Sequence, residues 1–142
     1  MTDFNTKAFE DRLHRVGKEI QSFFENLVTE EELDVFNPRT DFIQTKTGFE
    51  IIMDLPGLTK LDVKVELTDT MLSVSGERRI DEADSQVSWL RRERHYGRFS
   101  RTFPIPVPVQ KSDIRAAFRD GVLHISVTAS EVASEDSSIE IE

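Results

Sequence analysis

Cysteine is absent from the 142 residues, which removes disulfide staples, thiolate nucleophiles and zinc-thiolate sites together. No apolar run approaches the roughly 20 residues that span a bilayer, and no leading basic-then-apolar stretch resembles a secretory signal. The chain is therefore expected in the cytosol, without stable membrane association. Glycine is scarce, with six residues; turns explain most of them and no phosphate-cradling loop remains. There is no G-x-S-x-G nucleophile elbow. His14, His95 and His124 share no metal-ligand spacing. No catalytic set, metal or cofactor is expected, and the chain reads as a non-enzyme.

What is present is charge, unevenly spread. Residues 1–38 carry four basic and nine acidic side chains, residues 39–127 carry 14 and 13, and residues 128–142 carry none and five. A nearly neutral centre sits between two acidic flanks, which repel phosphates and keep the protein in solution. Nucleic acid is not expected as a partner. The length allows one domain of ordinary size with flanking segments: an arm over 1–38, a domain over 39–128 and an extension over 129–142.

The arm has a helical period. Phe9, Leu13, Val16, Ile20, Phe23 and Leu27 follow one another at spacings of 4, 3, 4, 3 and 4, and Asn5 or Thr6 is placed to cap the start. Phe4, Phe24 and Phe36 make this charged region unusually aromatic; five of the ten phenylalanines precede Pro38. The stripe suits a coiled-coil seam, packing on the chain's own domain, or a surface for unfolded chains.

After Asn37-Pro38 the period changes to alternation. Phe49 to Leu55, Leu61 to Leu67, Met71 to Arg78 and Tyr96 to Phe103 read as strands with turn signals between them. Pro104, Pro106 and Pro108 cannot donate to a ladder and end the last of these. Ile114 to Arg119 and Val122 to Val127 flank Asp120-Gly121, a strong hairpin signal. Strands at this spacing without intervening helices predict an all-β, antiparallel sandwich.

Three features do not fit a self-contained sandwich. The connection Ile80 to Leu90 is long, begins acidic and ends in Val87, Trp89 and Leu90; it either folds back or adds to the sheet edge of another subunit. Strand parity puts Arg101 on the face of Phe99 and Phe103, where an isolated charge costs several kcal/mol, so it is paired at a subunit interface or turned to solvent at an edge. Beyond a polar, acidic tether from Thr128 to Ser138, Ile139 and Ile141 share one face of an extended strand with no local cover.

Several segments together resemble the alpha-crystallin domain of the small heat shock proteins, which implies that the sandwich is immunoglobulin-like. They are Asp54-Leu55-Pro56-Gly57, then Leu72-Ser73-Val74-Ser75-Gly76-Glu77-Arg78, then Glu93-Arg94-His95-Tyr96-Gly97-Arg98-Phe99-Ser100-Arg101, then Ala116 with Asp120-Gly121-Val122-Leu123, and finally Ile139-x-Ile141. The resemblance implies an ATP-independent holdase that forms dimers and then larger homo-oligomers, with unfolding proteins as clients. It implies that Arg101 lies at the dimer interface and that Val87, Trp89 and Leu90 belong to a strand exchanged between subunits, as in non-animal members. It also implies that Ile139 and Ile141 dock in a groove bordered by Val63, Val65, Leu67, Ile114, Ala116 and Phe118. The arm would serve clients or assembly. The competing expectation is a sandwich that recruits one folded partner and does not oligomerise.

Overall fold

The computed structural model describes residues 2–26, 36–79 and 87–129, with backbone alone for residues 2–6. Leu27, the acidic stretch 80–86 and both tail isoleucines lie outside the described residues, as does the side chain of Phe4. Among these residues one α-helix, α1 (Thr2–Glu25), precedes seven strands: β1 (Thr40–Gln44), β2 (Gly48–Asp54), β3 (Val63–Thr68), β4 (Met71–Arg78), β5 (Gly97–Pro104), β6 (Ile114–Arg119) and β7 (Val122–Thr128).

The strands form two antiparallel sheets, one ordered β1-β2-β7-β6 and the other β3-β4-β5. The alternation read from the sequence sets both the register and the core. Ile51 pairs with Ile125 and Met53 with Leu123 across β2 and β7, while Leu72 pairs with Phe103 across β4 and β5. All six side chains are buried, so the facing sheets close over one apolar layer, as expected for a sandwich. Ile105 and Val107 are buried beyond β5 while Pro106 and Pro108 face outward; the proline-rich connector thus continues the alternation without a ladder.

Turn chemistry fixes the hairpins. Asp120 and Gly121 both take positive φ, 54° and 78°, the geometry of a two-residue I′ turn between β6 and β7. Asp69, φ 51°, serves the tight β3–β4 connection.

Two elements differ from the expectation. Leu61 does not begin a strand: Thr59 and Asp62 form a capping box around a 3-10 turn at Lys60–Asp62, which takes Leu61 out of the alternation and leaves it 89% exposed. β1 was not anticipated, because only Phe42 and Ile43 are apolar in it and Phe42 alone packs on the core.

α1 forms as its periodicity predicts, and most of its stripe lies on the chain's own sandwich; Phe23 is the exception, 36% exposed, because its neighbour Phe24 takes the inward position. Leu13, Val16 and Ile20 are buried, with Phe9 and Phe24 packed against the same core. Of the three roles open to this stripe, packing on the chain's own domain is the one seen in the single chain.

Candidate functional site

Among the described residues each sheet ends in strands with one partner: β3 and β5 in the smaller sheet, β1 and β6 in the larger. Edges are where a further strand can add, and the sequence-derived candidates gather at them.

Between β3 and β6 runs a groove of about 450 Å³ lined by Val65, Leu67, Leu72, Ile114 and Ala116, with Glu66 and Lys111 on its rim. Its depth follows from parity. Val65 and Leu67 turn inward from β3 while Lys64 and Glu66 turn outward and meet at 3.4 Å. Ala116 contributes little bulk where a larger side chain would fill the space. Val63 and Phe118 are half-buried against the core but do not line the groove. Four of the six expected groove residues are therefore brought together.

Val87, Trp89 and Leu90 are 55%, 48% and 98% exposed and belong to no strand of the single chain. The loop that carries them is stiffened by arginine against aromatic rings. Arg92 lies over Trp89 at 5.3 Å and over Tyr96 at 4.6 Å, and Arg94 donates to the Tyr96 hydroxyl at 3.1 Å. Cation-π contacts at such exposed sites contribute about 0.5–1 kcal/mol each.

The base of this loop is held by a residue that the sequence reading did not single out. Arg78 is 8% exposed and donates to the carbonyl of His95 at 3.1 Å and to that of Pro56 at 2.7 Å. Its guanidinium lies 4.7 Å from the Phe36 ring, which stacks on His95 and meets Phe99 edge-on at 5.4 Å. Burial, then the nearby Arg94 charge, lower the Arg78 pKa from its ordinary value, and Tyr96 pulls it back up. Gly57, with φ 86°, gives the turn that brings the Pro56 carbonyl into place. Arg78 thus ties the β2–β3 turn to the start of β5, and Phe36, at the end of the arm, is part of this anchor. The parity argument applied to Arg101 would have found it, since Arg78 shares a face with Leu72 and Val74. Arg78→Ala is expected to destabilise the fold by about 3 kcal/mol in urea, and Arg78→Lys to recover only part, because an ammonium lacks the fork that spans two carbonyls.

Arg101 is half-buried beside Phe103, 5.4 Å from its ring, and donates to the Pro38 carbonyl at 3.1 Å and the Thr40 hydroxyl at 3.4 Å. It spans from the edge strand of one sheet to the start of the edge strand of the other. Among the described residues no cluster of His, Asp or Glu could hold a metal, and no helix is long and apolar enough to cross a membrane.

Residues 41–142 match the model of the Hsp20/alpha crystallin family. Over 123 residues the chain is 35% identical to the 17.8 kDa class I heat shock protein of Arabidopsis thaliana, covering 86% of this chain and 77% of that protein. Among solved structures, a small heat-shock protein from Xylella fastidiosa aligns with a TM-score of 0.60 at 32% identity, over 66% of this chain and 86% of that one. Heat shock protein 16.0 from Schizosaccharomyces pombe aligns with a TM-score of 0.62 at 28% identity, over 76% of this chain and 77% of that one.

Proposed function

This chain belongs to the Hsp20/alpha crystallin family of small heat shock chaperones, and on that basis we propose that it is an ATP-independent cytosolic holdase built from dimers into a larger homo-oligomer. The observation that carries the reading is a complementarity within one sequence. An apolar groove lies open between two edge strands, and the same chain carries two isoleucines at strand spacing beyond a polar tether. An added strand in the groove would place both isoleucines against Val65, Leu67, Ile114 and Ala116.

Burying two isoleucines contributes on the order of 3–6 kcal/mol gross, and ordering the tail takes back much of that. A single docked tail is weak. Repeated around a particle, such contacts become collectively strong through effective concentration, while each still opens readily. Opening frees the groove, and loosening of the arm frees its aromatic stripe, so both can take up apolar segments of unfolding proteins. No nucleotide is required, since capture follows mass action.

The dimer is assigned to the other side of the sandwich. Val87, Trp89 and Leu90 expose more apolar surface than a lone subunit has reason to present, and the unpaired edges of β1 and β5 supply the place where they could add. Arg101, at the mouth between those edges, would fix the approach. Arg101→Ala is expected to raise the dimer dissociation constant roughly tenfold; an unchanged constant confines its role to holding Pro38 and Thr40. The function itself is tested by heating an aggregation-prone protein with this chain in nucleotide-free buffer. Light scattering should stay low at near-equimolar subunits, and scattering equal to the client alone would reject the holdase.

A further inference from the structure

Three strands of one sheet cannot cover four of the other, and α1 fills the shortfall. The Phe24 ring lies 5.9 Å from Phe42 on β1 and 6.2 Å from Phe103 on β5. Phe42 is 5.2 Å from Phe103 and 5.7 Å from Phe49 on β2. Rings from three strands thus form the floor of a slot at the seam between the sheets. Leu13, Val16 and Ile20 are buried in the core that includes this floor.

The slot is matched to a helix backbone as well as to apolar side chains. Gln44, at the end of β1, donates its side-chain amide to the Leu13 carbonyl. Its carboxamide occupies the space that a Cβ at position 17 would need, and Gly17 leaves that space free. Beside this contact a cleft of about 220 Å³, open to solvent, runs between helix and strand, bordered by His14, Gly17, Ile20, Phe42 and Gln44.

We propose that this slot is a binding site for amphipathic helical segments of unfolding proteins, and that α1 is a built-in occupant that such segments displace. The proposal rests on the holdase reading and adds where a client binds and in what form. The chemistry of the ligand is that of α1: apolar side chains at spacings of 3 and 4 on one face, a small residue opposite Gln44, and polar residues elsewhere. That is helix-in-groove recognition, tolerant of sequence and strict about pattern. A tethered occupant competes at a local concentration near the millimolar range, so clients gain the slot only when heat or binding elsewhere loosens α1.

The probe is a fluorescent peptide with the sequence of residues 2–26, titrated by anisotropy into the full chain and into full chain carrying Val16→Asp and Ile20→Asp. Those changes undock α1 without touching a strand, and circular dichroism checks that the sheets persist. The peptide should bind the double variant at least about tenfold more tightly than the unaltered chain, since an occupied site lowers apparent affinity by the free fraction. Adding Phe42→Ala, or Gln44→Leu should Phe42→Ala unfold the sheets, should reduce that binding at least about tenfold. Equal binding to the unaltered chain and the double variant, no binding to the variant, or binding indifferent to the floor substitution would each overturn the slot. A chain that suppresses client aggregation yet fails these tests remains a holdase without this site; one that passes them yet leaves clients to aggregate keeps the site and loses the holdase.

Discussion

Replacing Ile139 and Ile141 together by alanine is expected to collapse the particle to dimers, read as a fall in mass by light scattering coupled to size exclusion. Alanine keeps the tether and its charge but removes most of the apolar area that, on the proposed docking, would fill the groove. The loss is about 3 kcal/mol per docked tail, or a factor of roughly a hundred in each contact. Contacts that are individually weak cannot absorb that loss, and multivalency would amplify it, because in the proposed assembly every subunit donates one tail and receives one. The dimer should survive, since its proposed contacts lie at the β1 and β5 edges, across the sandwich from the β3–β6 groove. An unchanged mass would remove the tail from the assembly.

Deleting residues 1–35 is the second large effect. The cut falls before Phe36 because that ring lies against Arg78, His95 and Phe99 and belongs to the folded unit. The strands retain their own buried layer from Phe49, Ile51, Leu72, Phe103 and Ile125, so a folded sandwich is expected. What disappears is the apolar stripe of α1 and four of the ten phenylalanines. Client protection should drop several-fold in light scattering, by loss of apolar area that would otherwise cover the client. The remainder should be sensitive to Phe42→Ala, because deletion uncovers the slot. If the truncated chain protects as well as the full one, the arm is not the main client surface.

The strands other than β1 were legible because alternation is a local signal: Phe49, Ile51 and Met53 point inward for the same reason that Glu50 and Asp54 point outward. The groove between β3 and β6 was legible only through resemblance, because Val65 and Ile114 are 49 positions apart and nothing local shows that β3 and β6 are both edges. Helical spacing identified the apolar face of α1 but not its cover. That depends on a four-stranded sheet facing a three-stranded one, a property of the whole fold. Leu61 shows the converse, since an alternating pattern was extended two residues too far across the capping box of Thr59 and Asp62. Arg78 was hidden by composition: a charged residue at a strand end reads as solvated until its parity with Leu72 and Val74 is noticed.

Assembly through the tail can be examined without a competing thiol, since the chain has no cysteine of its own. Lys111→Cys on the rim of the groove and Glu142→Cys beside the tail motif, introduced together, should join neighbouring copies when the resting particle is treated with a short bismaleimide. A ladder of linked multimers on a denaturing gel, lost when either cysteine is omitted, is the predicted result. A single band at the mass of one chain, from an intact particle in which both cysteines have reacted, would contradict the account: the isoleucine tail would then not reach the groove of a neighbour, and the particle would be held together by something else.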